Sequence, residues 1–356
     1  MSLTAFHKLR ITDIRRETED AVSLAFAVPE PLRESFAFAP GQYLTLRARL
    51  GEAEVRRSYS ICAGVDDCEL RVAIKHVPDG LFSAHANTAL RVGDIVEVMP
   101  PAGRFGAGNE AGITLCLAAG SGITPILSIL KTSLAREPDR RCILLYGNRS
   151  TASILFRTAL EDLKDRFLGR LTVIHVLSRE AQDIPVLNGR LDGAKLRALL
   201  PSLASPGEIG QAFLCGPAGM IDDLSATLVA MGVPAGRIRA ERFTSAGEPV
   251  RVARVAPAVA ATAPFAVASI VFEGKTTQVA VAEGEAVLDA ALRAGLDLPW
   301  SCRAGMCSTC RAKVSEGRVE MTQNFSLEPW ETEAGYVLTC QAHPTTPQVV
   351  VDYDQV

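Results

Sequence analysis

The first hundred residues place hydrophobic and polar positions in short, alternating or β-rich runs that are separated by turn residues. Such runs include Val22–Phe26, Tyr43–Leu46, Leu70–Ile74 and Asp94–Val98. A period of two is typical of a half-buried strand, and many short strands at this spacing are typical of a small antiparallel barrel. We therefore predict an antiparallel β-barrel domain over residues 1–106.

A different pattern begins near residue 111. Nearly continuous apolar runs alternate with helical segments, and these runs are Ile113–Ala119, Cys142–Tyr146, Leu171–Leu177 and Ala212–Cys215. Continuous apolar runs indicate strands that are buried on both faces, and alternation of strand and helix produces a parallel sheet. We predict an α/β parallel-sheet domain over residues 107–246.

The last part of the chain begins after a segment with the composition of a linker. Residues 247–264 contain three prolines, six alanines and no aromatic residue, which favours an irregular connection over a packed element. Beyond it, Val267–Phe272 and Thr277–Val281 have strand-like patterns, and Ala286–Ala294 has a helical one. The predicted architecture is therefore multidomain, with a third, α+β domain over residues 265–356.

The charge is unevenly distributed along the 356 residues, whose net charge is −3. Residues 265–356 hold 12 acidic and 6 basic side chains, whereas residues 1–264 hold 28 acidic and 31 basic ones. An acidic module beside a mildly basic body argues against nucleic-acid binding. It fits docking on the body or on a basic partner, although ordinary solvated surfaces explain it equally well. Without an apolar stretch of ~18 residues or a signal peptide, we expect a soluble cytoplasmic protein.

Four cysteines have the spacing of a metal-cluster ligand set. Cys302, Cys307 and Cys310 form a C-x₄-C-x₂-C run, and Cys340 follows 30 residues later. This is the spacing of the plant-type [2Fe–2S] ligands. The chemistry agrees, since such a cluster needs four thiolates, two on each iron, and a loop of small residues whose amides point at sulfur. Cys302, Cys307, Cys310 and Cys340 are the predicted metal ligands.

Zinc and disulfide bonds are the alternatives for these thiols. Structural zinc usually takes two C-x₂-C or related pairs, whereas this run has a single C-x₂-C that overlaps a C-x₄-C. Disulfides are disfavoured because the chain is long and opens without a signal peptide. The simplest interpretation of Cys62, Cys68, Cys116 and Cys142 is that they are reduced structural residues.

Two segments of the predicted barrel suit a flavin nucleotide. In Arg57–Ser60, an arginine could bind pyrophosphate, Tyr59 could pack on the ring, and Ser60 could approach its reactive nitrogen. In Gly80–Ser83, amides and a hydroxyl at a helix start could hold phosphate, although a turn with an N-cap explains them equally. The candidate flavin-binding residues are Arg57, Ser58, Tyr59, Ser60, Ile74, Lys75, Gly80, Leu81, Phe82 and Ser83.

Two glycine-rich turns of the parallel-sheet domain suit a dinucleotide. Gly120–Pro125 lies between a buried strand and a helix, the context in which such a turn binds pyrophosphate, and Cys215–Met220 repeats that context. Arginine and serine after two other strands suit a 2′-phosphate, while Glu180 keeps a ribose-binding acid possible. The candidate residues are Gly120, Ser121, Gly122, Thr124, Pro125, Asn148, Arg149, Ser178, Arg179, Cys215, Gly216 and Pro217.

In this order, the motifs resemble the ferredoxin–NADP reductase superfamily with a fused C-terminal plant-type ferredoxin. More narrowly, the chain resembles the reductase subunits of bacterial phenylacetyl-CoA epoxidases. The likeness covers nearly the whole chain and includes Phe38–Gln42, Glu97–Phe105 and Glu241–Phe243. It implies an FAD-binding barrel, an NAD(P)H-binding domain and a β-grasp ferredoxin domain.

The resemblance also implies a direction for the electrons. They would pass from NADPH, which we favour over NADH, through FAD and the [2Fe–2S] cluster to a multicomponent oxygenase. Thr124 would lie near the flavin ring, and Ser60 and Cys215 would tune the contact between nicotinamide and flavin, without an acid–base dyad. Two alternatives stay open: the reductase of another oxygenase or hydroxylase, possibly with FMN, and an iron–sulfur redox sensor that does not turn over.

Overall fold

The computed structural model describes residues 5–106, 108, 110–243 and 264–355. These residues divide into two compact units. The larger contains residues 6–55 and 59–243, and the smaller contains residues 264–355 together with residue 5 and Arg56–Ser58. Within the described part of the chain, none of the helices is long and apolar enough to cross a membrane.

The larger unit begins with a six-stranded antiparallel sheet. Its elements are β1 (His7–Thr18), β2 (Ala21–Ala27), β3 (Tyr43–Leu50), β4 (Ala53–Ser60), β5 (Leu70–Lys75), α1 (Leu81–Thr88) and β6 (Ile95–Val98). The strand order is β4-β3-β6-β1-β2-β5, and a bridge between Ile61 and Val72 joins the two end strands. The sheet thus closes around buried side chains such as Leu24 and Ile74, which confirms the predicted barrel.

A five-stranded parallel sheet follows. Its elements are β7 (Ile113–Ala119), α2 (Ile123–Arg136), β8 (Cys142–Asn148), α3 (Arg157–Arg166), β9 (Leu171–Leu177), α4 (Gly193–Leu199), β10 (Ile209–Gly216), α5 (Ala218–Ala230) and β11 (Ile238–Arg242). The order is β11-β10-β7-β8-β9. Alternate residues of β7 face different layers, since Cys116 packs with α2 and α3 whereas Leu117 packs with α4 and α5. Burial on both faces explains the continuous apolar runs.

The smaller unit is a mixed sheet that packs on one helix. Its elements are β12 (Ala266–Phe272), β13 (Lys275–Val281), α6 (Val287–Arg293), β14 (Arg311–Glu316), β15 (Val319–Met321), α7 (Pro329–Glu333), β16 (Tyr336–Leu338), β17 (Ala342–Pro344) and β18 (Gln348–Asp352). The order is β13-β12-β18-β14-β16, with β12 and β18 parallel. Val287 and Leu288 of α6 are fully buried against it. This is the predicted α+β, β-grasp arrangement.

The domain limits remain predictions. Residues 247–263 of the proposed linker lie outside the described residues, so the boundaries at 106, 246 and 264 rest on sequence composition and pattern. The predicted strands and helices agree with the structure to within a few residues. The short pair β15–β17 and helix α7 have no clear signal in the hydrophobic pattern, because three to five residues are too few to show a period.

Candidate functional site

The two glycine-rich turns lie side by side. Strands β7 and β10 are parallel neighbours, and Cys215 is in register with Ala118, so the turns that follow them meet at the carboxyl edge of the sheet. A Cβ atom on Gly122 would lie 2.5 Å from the carbonyl carbon of Cys215, and closer still to its oxygen. Only glycine allows this approach. The structure therefore brings the two predicted nucleotide-binding segments into contact, at the point where the strand order reverses.

Cys215 lies at the centre of this contact as a buried, neutral thiol. It is fully buried, and burial raises its pKa well above the ordinary value, with a further contribution from Glu241. The thiol therefore keeps its proton near neutral pH and does not act as a nucleophilic thiolate. A ligand bound at these turns would therefore meet a small, polarisable and uncharged side chain at Cys215.

Tyr146, which the sequence reasoning did not single out, holds the first turn in place. Its side chain is fully buried, and its hydroxyl donates to the carbonyl oxygen of Gly120 at 2.9 Å. A tyrosine near the end of a buried strand that leads into a polar loop was the available signal. The predicted residue Thr124 is buried, and its hydroxyl donates to Ser121 O of the same turn at 3.0 Å.

The loops after β8 and β9 run side by side. Ser178 N donates to Asn148 O at 2.9 Å, and Arg179 N donates to Arg149 O at 2.7 Å. Both arginine side chains are exposed, and neither guanidinium has a hydrogen bond or ion pair within the described residues. These two cations thus project from neighbouring loops at the carboxyl edge of the sheet.

Glu180 is engaged within its own domain. Its carboxylate accepts hydrogen bonds from Thr151 N at 2.8 Å and from Thr151 Oγ1 at 2.6 Å. These bonds lower the pKa of Glu180, the side-chain bond contributing most. The carboxylate that would compete for ribose hydroxyls therefore already has two donors.

The candidate flavin segments lie at the end of β4 and the start of α1. The ring of Tyr59 contacts that of Phe82, with centroids 5.7 Å apart, and Ser60 is buried. Because α1 begins at Leu81, the amides of its first turn lack partners within the helix and are suited to phosphate. The Tyr59 ring, the buried Ser60 and the amides at the start of α1 together suit a planar ring with a phosphate tail, as FAD requires.

Several other flavin candidates have structural partners. The hydroxyl of Ser83 accepts from Val77 N at 3.1 Å and donates to Gly80 O at 3.0 Å, so it stabilises the turn. Ile74 lies in the barrel core, and Lys75 forms an ion pair with Asp20 at 3.4 Å. Arg57 Nη1 donates to Arg56 O at 2.8 Å, and Ser58 is half-buried beside it on β4. A flavin-binding role for these residues stays a prediction.

The four cysteines of the smaller unit form two thiol pairs. The thiols of Cys302 and Cys307 interact and shift each other's pKa, and so do those of Cys310 and Cys340. Cys310 and Cys340 are buried, and the other two are half-buried. Two pairs of thiols correspond to the two irons of a [2Fe–2S] core, each of which takes two thiolates.

The loop that carries three of these cysteines presents its amides to sulfur. Ala304 N and Met306 N each donate to Cys302 Sγ at 3.4 Å, and Cys302 N lies at the same distance from Cys307 Sγ. The backbone is left-handed at Arg303 (φ 55°), Gly305 (φ 72°) and Ser308 (φ 47°), which turns successive amides inward.

The surroundings of Cys307 favour its thiolate form. Interaction with the Cys302 thiol, with help from Thr309, lowers the pKa of Cys307 to about 6. A metal ligand must be a thiolate, and the fit of the loop to a [2Fe–2S] cluster rests on its thiols and on the amides that point at sulfur.

Barrel, parallel sheet and cysteine loop together define a class, the modular oxidoreductases that combine a flavin, a nicotinamide nucleotide and an iron–sulfur cluster. Family models agree along the chain. An oxidoreductase FAD-binding domain matches residues 8–106, an oxidoreductase NAD-binding domain matches residues 116–226, and a 2Fe-2S iron-sulfur cluster binding domain matches residues 270–345. The first of these favours FAD over the FMN alternative.

Whole-length relatives identify the family. The chain is 45% identical to one of the subunits of 1,2-phenylacetyl-CoA epoxidase from Escherichia coli (strain K12), covering 99% of each chain. It is 35% identical to the 3-ketosteroid-9-alpha-monooxygenase ferredoxin reductase component of Rhodococcus rhodochrous, covering 97% and 96%. The fold of phthalate dioxygenase reductase matches with a TM-score of 0.59 at 20% identity and 98% coverage of both chains. The chain therefore belongs to the ferredoxin–NADP reductase superfamily members with a C-terminal ferredoxin domain.

Membership establishes the chemistry at the level of class. The protein is an NAD(P)H-dependent oxidoreductase with FAD and a [2Fe–2S] cluster, and it transfers electrons between them. The redox-sensor alternative is disfavoured, since these relatives are components of enzymes that turn over.

Proposed function

We propose that this protein is the reductase component of phenylacetyl-CoA epoxidase and supplies electrons from NADPH, through FAD and [2Fe–2S], to the oxygenase in phenylacetate degradation. The observation that carries this proposal is the 45% identity over 99% of both chains. The identity to a reductase of ketosteroid oxygenation is lower, at 35% over a similar length. Both relatives are components of oxygenases. The proposal of phenylacetyl-CoA epoxidase is therefore a proposal about which oxygenase receives the electrons.

The order of the cofactors follows from electron counting. NADPH supplies a hydride, which carries two electrons, whereas a [2Fe–2S] cluster accepts one. A bound flavin supplies the conversion, since it is stable with two, one or no added electrons. The residues at the joined glycine turns position the nicotinamide, and Ser60 and Cys215 are the proposed side chains at its contact with the flavin. Cys302, Cys307, Cys310 and Cys340 are the proposed cluster ligands.

The proposal of NADPH rests on the loops after β8 and β9. Arg149 and Arg179 are exposed and have no partner within the described residues, whereas Glu180 is bonded to Thr151. Guanidinium groups bind phosphate through paired hydrogen bonds. The arrangement favours a 2′-phosphate over the free ribose hydroxyl of NADH.

Substitution of Arg179 tests this choice. We expect Arg179→Ala to raise the KM for NADPH by about tenfold and that for NADH by less than about twofold, because one charge-assisted hydrogen bond is worth roughly 1.5 kcal/mol or more. Steady-state kinetics with both nucleotides measures the ratio. Arg166→Ala is the matched control. Arg166 is also an exposed arginine, but it lies at the C-terminal end of α3, and its substitution should leave both KM values unchanged. Equal increases for NADPH and NADH would contradict 2′-phosphate recognition.

The oxygenase partner is tested by reconstitution. The purified protein, NADPH and the oxygenase component of phenylacetyl-CoA epoxidase should together convert phenylacetyl-CoA, with the epoxide detected by mass spectrometry.

The second candidate function, the reductase of another oxygenase, is favoured by the full-length ketosteroid relative. This second function would be supported if the protein drove ketosteroid hydroxylation but formed no epoxide from phenylacetyl-CoA.

We also propose a cytoplasmic location. All nine cysteines are free thiols, which fits a reducing compartment. Neither nucleic acid nor a membrane enters the proposed cycle. A fractionation experiment that recovered the loaded protein from the periplasm would contradict this part of the proposal.

A further inference from the structure

A pair of hydroxyl groups is buried behind the cysteine loop. Thr339 is fully buried, and its Oγ1 atom lies 3.0 Å from Cys310 O and 2.6 Å from the hydroxyl of Tyr353. A carbonyl oxygen can only accept, so Thr339 donates its single proton to Cys310. Tyr353 must then donate to Thr339. The hydrogen bonds therefore form a chain with one direction, from Tyr353 through Thr339 to Cys310.

The middle of this chain is also held by the backbone. Thr339 N donates to the same carbonyl oxygen of Cys310 at 3.1 Å, and Thr339 O accepts from Leu288 N at 3.1 Å. Thr339 directly precedes Cys340 in the sequence. The chain of hydroxyls thus ends on the carbonyl oxygen of Cys310, and its middle residue is bonded through the backbone to Cys340.

Tyr353 is placed for this contact by the end of the chain. It follows β18, its N–H donates to Val271 O at 2.9 Å, and its ring packs edge-on against Phe272 with centroids 6.0 Å apart. Only 4% of the residue is exposed. Among the described residues, Thr339 is the one hydrogen-bond partner of its hydroxyl. Packing alone does not require this hydroxyl, because a phenylalanine ring would occupy the same space.

We propose that Tyr353 is a positioning residue for the [2Fe–2S] cluster, and that its hydroxyl, acting through Thr339, orients Cys310 and Cys340 and raises the reduction potential of the cluster. This inference rests on the proposed assignment of the four cysteines as ligands. The O–H dipoles point their positive ends toward Cys310, and each hydrogen bond polarises the next in a buried chain. Such outer contacts orient ligands and tune potentials, and this one favours the extra electron of the reduced cluster.

Tyr353→Phe in the full-length protein tests the proposal. We expect normal cluster absorbance, with a threefold to tenfold fall in the equilibrium constant for reduction of the cluster. That corresponds to a midpoint potential lower by about 30 to 60 mV. A redox titration followed by electron paramagnetic resonance measures it, and the flavin potential serves as an internal reference that should not move.

Tyr336→Phe is the matched control. It makes the same chemical change in the same unit, at a hydroxyl that has no hydrogen bond to a described residue. Its cluster potential should equal that of the unmodified protein. An unchanged potential in Tyr353→Phe, or an equal shift in both variants, would overturn the proposal and leave Tyr353 a packing residue.

Substitution of Thr339 tests the chain itself. Thr339→Val should lower the potential as Tyr353→Phe does, Thr339→Ser should retain it, and the double variant should show no additional shift. Additive shifts would contradict a chain. If Tyr353→Phe fails to take up the cluster, the potential of Thr339→Val decides in the same way. Absence of a cluster signal in the unmodified protein would instead contradict the ligand assignment, independently of which oxygenase is the partner.

Discussion

A Cys307→Ala protein is expected to lose the visible absorbance of the [2Fe–2S] cluster and to retain reduction of the flavin by NADPH. Cys307 is the thiol whose pKa is lowered to about 6, so it is well prepared to bind iron as a thiolate. Loss of a ligand should cost more than the 10- to 100-fold typical of outer contacts. We expect electron delivery to the oxygenase to fall by at least about 100-fold.

The measurement separates the two halves of the relay. Stopped-flow absorbance should show flavin reduction within about twofold of the unmodified rate, because the barrel and the parallel sheet do not contain Cys307. Cys68→Ala, at an exposed thiol between β4 and β5, is the control and should leave both signals unchanged. Loss of flavin reduction together with the cluster would show that the modules do not function separately.

Gly122→Ala is expected to lower kcat/KM for NADPH by about 100-fold, comparable to the effect of a 1 Å misplacement of reacting groups. The expected loss of activity has a steric cause, not a backbone-conformation one, because φ at Gly122 is −62° and alanine adopts this value readily. The added Cβ would lie 2.5 Å from the carbonyl carbon of Cys215 and 3.0 Å from Gly216 N. Backbone atoms cannot rotate away, so the two turns must separate.

Gly207→Ala provides the matched control. Its added Cβ would meet no atom within 4 Å, and it lies before β10, at the opposite edge of the sheet. Kinetics of flavin reduction should be unchanged in this variant, and both proteins should fold, as checked by circular dichroism. A Gly122→Ala protein with the original kcat/KM would show that contact between the turns does not position the nucleotide.

Hydrophobic periodicity predicted the fold class because each domain repeats a simple physical pattern. The first half of β1 has one face toward solvent, so buried Leu9 and Ile11 alternate with exposed Lys8 and Arg10, whereas β7, β8 and β10 are covered on both sides and are nearly continuously apolar. The cysteine quartet was equally clear, because iron chemistry restricts the number and spacing of its ligands.

The sequence was less informative about what each polar residue contacts. Glu180 was a candidate ribose ligand, but the structure pairs it with Thr151, 29 residues away along the chain. Tyr146 and Tyr353 were not singled out. Tyr146 ends an apolar run and resembles any core residue, and Tyr353 stands between Asp352 and Asp354, where the hydrophobic pattern does not predict burial. Their hydroxyls acquire partners only when distant strands pack together.

The sequence by itself determined the three kinds of domain, the two glycine-rich turns and the four thiols. Hydrophobic periodicity and ligand spacing depend on the order of residues along the chain, so they can be recognised without knowledge of the packing. Only the tertiary structure decided that β10 lies beside β7, which brings Gly122 against Cys215, and that the thiols pair as Cys302 with Cys307 and Cys310 with Cys340. It also decided that Tyr353 reaches Cys310 through Thr339. Contacts of this kind depend on the order of strands and on burial, which are properties of the packed chain as a whole.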